Sequence, residues 1–214
     1  IETATDGALE MTSGSSEMEF TTGKSVTAIT QATFTASAFT SGVITVTAVG
    51  KVTVNGPWTA AGAMVVTSSG DGIVLPNDVT TTVGALTLEA PDGTLGTLEL
   101  TKSSGQQVVS KGAMVINTNK VTSNEATVTS EDTMTVQIAS EWTATAGSLS
   151  LTSTLKMTLD TDLVTATSGD VTLDSGTAET EFTTGKSVTS MGTMTCTASA
   201  FTSGVITVTA VGKV

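Results

Sequence analysis

Residues 84–88 are Gly-Ala-Leu-Thr-Leu, a small residue followed by a short segment in which apolar and polar side chains alternate. Alternation with a period of two is typical of a β-strand that buries one face. The pattern occurs at four further places: Gly42-Val-Ile-Thr-Val, Gly62-Ala-Met-Val-Val, Gly147-Ser-Leu-Ser-Leu and Gly169-Asp-Val-Thr-Leu. Clear neighbours are 20 to 22 residues apart. This spacing predicts a chain that coils, with about 20 residues in each coil.

The same alternation predicts the direction of individual side chains. We expect nine apolar side chains to face the core: Ile44, Val46, Ala48, Leu86, Leu88, Leu98, Leu100, Leu149 and Leu151. We expect five polar side chains between them to face water: Thr45, Thr47, Thr87, Glu99 and Ser150. Glycines are expected at corners that require a positive φ.

The composition favours an all-β chain. The 214 residues include 48 Thr, 21 Gly and 3 Pro, while His, Arg and Tyr are absent. Thr, Val and Ile favour extended backbone because two heavy atoms on Cβ restrict the side chain and suit a pleated surface. An apolar fraction of 38% is sufficient for a core.

A long internal repeat is the strongest feature of the sequence. Residues 17–52 and 179–214 align at an offset of 162, and 29 of the 36 positions are identical. We therefore predict that 1–214 is one continuous solenoid, an excerpt of a longer tandem array in which 1–162 is a full unit and 163–214 begins the next. Similar surroundings of Trp58 and Trp142 indicate a weak half-repeat of about 82 residues. At this coil length, each unit is expected to hold about eight coils.

Tandem immunoglobulin-like β-sandwiches are the alternative fold, because a sandwich of that kind has about 80 to 100 residues, close to the length of the half-repeat. Sandwich units are expected to contain aromatic anchors and linkers. Aromatic residues make up only 3% of this chain, and the short strands are separated by Ser-Gly, Thr-Gly and Asp-Gly turns. These features favour a single-chain β-solenoid, or β-helix, over the sandwich array.

Segments such as Gly84-Ala-Leu-Thr-Leu and Gly169-Asp-Val-Thr-Leu-Asp-Ser-Gly resemble the β-helical stalks of filamentous-haemagglutinin-like adhesins and similar secreted repetitive proteins. The resemblance is one of pattern across most of the chain, and no functional residue of that class has a counterpart here. It implies an extracellular or cell-surface location.

The residue types present exclude several kinds of chemistry. Without His or Arg the chain has no Ser-His-Asp triad, no histidine metal cluster and no arginine clamp. The acids are scattered, and we interpret Asp71, Asp78, Asp92, the pair Glu131 and Asp132, and the pair Asp160 and Asp162 as turn residues rather than catalytic acids or calcium ligands. No catalytic, cofactor or metal residue is therefore predicted, and we expect no enzyme activity.

Other side chains receive structural interpretations. We expect Trp58 and Trp142 to pack at coil corners or lateral contacts rather than to form sugar-stacking platforms, and Cys196 to be buried as a small apolar group. Lys24, Lys51, Lys186 and Lys213 are expected to pair with carboxylates of neighbouring coils or to protect sheet edges. Thr-x-Thr pairs, as in ice-binding solenoids, begin at residues 33, 45, 127, 165 and 193. Their irregular spacing favours ordinary outward-facing threonines.

The net charge of −12 argues against a nucleic-acid partner, and no apolar run is long enough to span a membrane. We expect a structural component of a long extracellular or surface filament, whose partners are further repeats or copies of itself stacked end to end. The Thr and Ser side chains could carry O-linked glycans. The alternatives are the stalk of an adhesin and, more remotely, a carbohydrate-active β-helix enzyme.

Overall fold

A computed structural model describes residues 2–4 and 7–214, which contain no helix and form 27 strands. In chain order the strands are β1 Glu2–Ala4, β2 Leu9–Thr12, β3 Glu17–Phe20, β4 Lys24–Ala28, β5 Ala32–Thr35, β6 Ala38–Ser41, β7 Ile44–Ala48, β8 Val52–Asn55, β9 Trp58–Ala60, β10 Met64–Ser68, β11 Ile73–Leu75, β12 Val79–Thr81, β13 Leu86–Ala90, β14 Thr97–Leu100, β15 Gln106–Ser110, β16 Met114–Thr118, β17 Lys120–Ser123, β18 Ala126–Ser130, β19 Met134–Ala144, β20 Leu149–Ser153, β21 Met157–Thr165, β22 Val171–Asp174, β23 Glu179–Phe182, β24 Ser187–Ser190, β25 Met194–Thr197, β26 Ala200–Ser203 and β27 Thr207–Ala210.

The strands stack in parallel into a solenoid with three faces. Face 1 contains β1, β4, β7, β10, β13, β16, the first part of β19, the first part of β21, β23 and β26. Face 2 contains β2, β5, β8, β11, β14, β17, the second part of β19, the second part of β21, β24 and β27. Face 3 contains β3, β6, β9, β12, β15, β18, β20, β22 and β25.

The coil length agrees with the spacing of the sequence pattern. From the second coil onward, the strands of face 1 begin at residues 24, 44, 64, 86, 114, 134, 157, 179 and 200. The described residues thus make about ten coils of roughly 21 residues. The predicted β-solenoid is confirmed and the sandwich alternative is wrong, because no separate two-sheet unit closes within the described part of the chain.

The predicted number of coils in each unit is wrong. Glu17 lies on face 3 of the first coil, and its counterpart Glu179 lies on face 1 of the ninth. The offset between the two copies therefore spans seven and one third coils rather than about eight. The difference arises mainly in the fifth coil, which begins at Leu86 and continues until the sixth begins at Met114. This coil is longer than its neighbours because loops 91–96 and 101–105 lengthen two of its corners.

The core is a narrow column of apolar side chains between the three faces. All nine side chains predicted to face inward are buried, while the five predicted to face water alternate with them on the outside. Phe20, Phe34 and Phe39 surround Trp58, with ring centroids 5.3 to 5.9 Å from the tryptophan. Stacking at about 4.8 Å between coils gives most inward side chains of the inner coils an apolar neighbour above and below.

Hydroxyl groups occupy the inward positions next to corners. Ser130 Oγ donates to Gly112 O and Thr133 O, both at 3.0 Å, and Ser153 Oγ donates to Leu155 O at 2.7 Å. These hydroxyls give the corner carbonyls a donor, in addition to a backbone N–H where one is present, as at Thr133 O, which accepts from Met114 N at 2.9 Å. Within the described residues, every buried side-chain nitrogen or oxygen has a hydrogen-bond partner.

Glycines at the corners serve two different purposes. Gly72 has a φ of 104°, as predicted for a corner glycine. Gly84, which lies at the corner before β13, does not have a positive φ. It is required instead because a Cβ at Gly84 would lie 2.3 Å from Ala63 N in the coil below. Close stacking, rather than backbone conformation, selects glycine at this position.

Candidate functional site

The outer surface of the solenoid presents columns of threonine. One column on face 3 consists of Glu19, Thr40, Thr59, Thr80, Val109, Thr129, Thr152, Asp174 and Thr197. One column on face 2 consists of Glu10, Thr33, Thr53, Val74, Glu99, Thr122, Thr143, Val164, Thr189 and Thr209. The corners differ in length and so compensate for the irregular spacing of the threonines along the sequence. Threonines from different coils therefore align in the structure.

The Thr-x-Thr pairs do not share one face. The pair beginning at Thr45 lies on face 1, the pair at Thr33 on face 2 and the pair at Thr127 on face 3. Thr165 was expected to face outward, but it is buried and its hydroxyl donates to Gly169 O at 2.7 Å. Acidic and valine side chains interrupt the columns of faces 2 and 3, so neither column is an unbroken row of hydroxyls.

Lysines and acids form ion pairs between coils on the outer surface. The pairs are Lys51 with Glu99, Lys102 with Asp78, Lys111 with Glu131, Lys120 with Glu141, Lys156 with Glu179 and Glu181, and Lys186 with Asp160. The prediction is confirmed for Lys186, which pairs with an acid of the neighbouring coil, whereas the partner of Lys51 lies two coils away. Among side chains that the structure describes, Lys24 and Lys213 have no carboxylate within 4.0 Å, so pairing is not supported for these two lysines.

Lys156 has two carboxylate partners, an arrangement that the sequence argument missed. Its Nζ lies 2.5 Å from Glu181 Oε2 and 3.4 Å from Glu179 Oε2. The hydrogen bond from Lys156 to Glu181 raises the pKa of the lysine. The Thr202 hydroxyl and then Lys156 lower the pKa of Glu179. The sequence signal for this cluster is a Glu-x-Glu segment that follows a lysine by about one coil. The positive charge of Lys156 offsets one of the two negative charges of Glu179 and Glu181.

Most acids singled out in the sequence bind the backbone at corners. Asp92 Oδ1 accepts hydrogen bonds from Thr94 N at 2.9 Å and Leu95 N at 3.0 Å, which lower the pKa of this carboxyl. Asp162 Oδ1 accepts from Ser187 N at 2.6 Å and Ser187 Oγ at 2.7 Å. Across the part of the chain that the structure describes, no three His, Cys, Asp or Glu side chains come together as metal ligands.

Both tryptophans pack inside the coils and do not form platforms on the outer surface. Trp58 is 1% exposed and Trp142 is 0% exposed. Each ring donates through Nε1 to a buried serine of the preceding coil: Trp58 to Ser41 Oγ at 3.0 Å and Trp142 to Ser123 Oγ at 3.1 Å. Neither ring is available for stacking on a sugar.

Cys196 is exposed, contrary to the prediction that it is buried. It lies in register with the buried Leu173, and therefore points toward the interior, but in the described chain no strand stacks on its other side. Partial desolvation by its apolar neighbours raises the pKa of the thiol.

The last coil presents an apolar surface around this cysteine. It is lined by Phe182, Met194, Cys196, Phe201, Ser203, Ile206, Val208 and Val214. In the first copy of the repeat, the counterparts of Phe201 and Val208 are Phe39 and Val46, which are fully buried because the next coil covers them. The first copy therefore shows which kind of segment fits this surface: a coil like residues 52–68.

The comparisons with known proteins identify no relative. No protein-family model matches the chain, and neither a curated protein nor a solved structure is detectably similar to it. A search of the described residues for a helix long and apolar enough to cross a membrane finds none.

Proposed function

We propose that this chain is a structural segment of a long extracellular or cell-surface filament built from tandem repeats. The observation that supports it is the continuity of the sheets between the two copies of the repeat, residues 17–52 and 179–214. The coils between the copies stack on one another, and strand β21, Met157–Thr165, pairs directly with the first strands of the second copy. Leu159 and Leu163 of this strand are fully buried, so one copy passes into the next through shared sheets rather than through a linker.

The end surfaces support stacking of further repeats. Parallel strands without a neighbour present unpaired N–H and C=O groups, which favour the addition of another strand. Of the eight residues that line the apolar surface of the last coil, six are identical to their counterparts in the first copy, and those counterparts are buried. We therefore propose that the partner of this surface is a further repeat, or a second copy of the chain, stacked end to end.

The bonding of the charged groups supports a role without catalysis. Among the side chains that the structure describes, six lysines pair with acids of other coils. Asp92 and Asp162 accept hydrogen bonds from backbone N–H groups. A carbohydrate-active enzyme needs two acids free to exchange protons or attack the sugar. Acids that lie side by side have other partners. Glu179 and Glu181 share Lys156, while Glu141, the register partner of Asp162, pairs with Lys120.

A second candidate is the stalk of an adhesin, favoured by the pattern of Gly-Asp-Val-Thr-Leu segments. The stalk and the filament share the same rod and differ in what the rod holds. Exposed threonines on each face are available for O-linked glycans in either case. The complete reading frame separates the two, because a stalk requires a non-repetitive binding domain beyond the repeats.

The experiment that tests the filament is to measure length in arrays of one, two, four and six repeat units by electron microscopy and small-angle scattering. Seven and one third coils at about 4.8 Å predict an increase of about 35 Å for each unit and a straight rod. The matched control array carries a flexible Gly-Ser linker inserted in β21 between units. A linker-free array that resembles this control, as globules on a flexible string, would falsify the proposal.

A further inference from the structure

Identical segments of the two copies lie on different faces of the solenoid. Glu17 and Thr40 belong to face 3, whereas their counterparts Glu179 and Thr202 belong to face 1. The same shift applies along the whole aligned region: β4 of face 1 corresponds to β24 of face 2, and β5 of face 2 corresponds to β25 of face 3. The second copy is therefore turned by one third of a coil.

The two copies nevertheless form the same local contacts. Thr40 Oγ1 donates to Glu17 Oε1 at 2.8 Å, and Thr202 Oγ1 donates to Glu179 Oε1 in the same way. Gly23 and Gly185 both have positive φ, and their N–H groups donate to Val43 O at 2.8 Å and Val205 O at 2.7 Å. These contacts are therefore kept when the same segment moves from one face to the next.

The rotation follows from the number of strands in each unit. Three strands make one coil, but the offset between Glu17 and Glu179 spans 22 strand positions, with β19 and β21 each occupying two faces. Twenty-two is not a multiple of three. The half-repeat is also shifted by a number of strands that is not a multiple of three. Trp58 on face 3 and Trp142 on face 2 are eleven strand positions apart.

We infer that tandem units join as a screw, in which each unit is advanced by about 35 Å and turned by one face relative to the unit before it. This inference rests on the proposed filament and specifies how a unit receives its partner, the next unit. Three consecutive units bring a given segment back to its original face. A molecule that recognises the surface of the repeat thus meets it on all three sides of the rod, and no single face is reserved for binding.

The long fifth coil allows a test on the present chain itself. In a Cys196→Ala background, Thr87→Cys with Val115→Cys places two thiols on register partners of β13 and β16. Thr87→Cys with Val109→Cys is the matched control, because Val109 would be the partner if this coil were as short as the preceding one, in which Val65 is the partner of Thr87. Adjacent strands place Cα atoms within disulfide range. We expect oxidation to join 87 to 115 and to leave 87 and 109 reduced; the reverse result overturns the inference.

Cryo-electron microscopy of the six-unit array tests the screw directly. We expect 22 strands in each unit and successive units turned by one third of a coil, in addition to any twist of the solenoid. A continuous rod with 21 or 24 strands in each unit, and with copies in line on one face, overturns the screw but leaves the filament intact. Separate globules overturn the filament instead, so the two failures are distinguishable.

Discussion

Residues 17–52 and residues 179–214 have nearly the same sequence but lie at two different positions in the solenoid, so the two copies can be compared directly. Both copies keep the same alternation of side chains and the same corner glycines, even though they lie on different faces. They differ in burial: Phe39 is 1% exposed, whereas Phe201 is 50% exposed. Local sequence thus decides which way a side chain points, and the coil that follows decides whether it is buried.

The largest effect is expected from removing the same phenylalanine ring in each copy. Phe39 packs on Trp58 at 5.3 Å and on Phe34 at 6.4 Å, so Phe39→Ala leaves a cavity and should reduce the free energy of unfolding by about 3 to 5 kcal/mol. Phe201→Ala removes a half-exposed ring and should cost about 1 kcal/mol or less. Urea unfolding of the two variants checks this difference. Equal losses would contradict the view that the following coil determines burial.

Glycines at one corner give the next largest effect. A Cβ at Gly42 would lie 1.8 Å from Thr22 Oγ1, and a Cβ at Gly204 would lie 2.0 Å from Thr184 Oγ1. Gly42→Ala should cost about 1 to 3 kcal/mol because coils on both sides hold the corner in place. Gly204→Ala should cost less, since the last coil has room to shift. Gly93→Ala is the control, with nothing within 4 Å of the added carbon, and should be neutral or stabilise by up to about 1 kcal/mol. A large loss in this control would show that crowding is not the cause.

Much of the fold follows from short-range sequence features. The alternation in segments such as Ile44–Ala48 correctly predicts inward and outward side chains, because strand geometry fixes it within a few residues. The coil length also follows, because each coil must return to stack on the one before it. The absence of His and Arg limits the candidate chemistry in the same direct way.

The face on which each copy of the repeat lies could not be predicted from the sequence, because it depends on the lengths of the corners between strands. The loop at residues 91–96 lengthens the fifth coil, while β19 and β21 pass through a corner with no break in the strand. None of these corners has a periodic signal. Cys196 was misjudged for a related reason: its alternation indicates an inward direction, but its burial depends on a neighbouring coil that its own strand does not specify.

The smallest effect concerns the pKa of Glu179, whose carboxylate accepts a hydrogen bond from Thr202 just as Glu17 accepts one from Thr40 in the first copy. The Thr202 hydroxyl, followed by Lys156, lowers the pKa of Glu179 below its ordinary value of 4.5. A carboxyl with a lowered pKa contributes stability above its unfolded pKa, and this contribution disappears as the pH falls through the folded value. Thr202→Val should therefore raise the pKa of Glu179 and make unfolding less dependent on pH below about 4.5.

The measurement is an NMR titration of the Glu179 carboxyl, together with urea unfolding at several acidic pH values. Lys156→Gln is the companion variant, and it should raise the same pKa by less, because the hydroxyl is the larger cause. Thr40→Val is the control in the first copy: it removes the equivalent hydroxyl from Glu17 on another face and should leave the Glu179 titration unchanged. An unchanged Glu179 pKa in Thr202→Val would show that the hydroxyl contact on face 1 does not form, and the claim that both faces accept the same contacts would lose its most direct support.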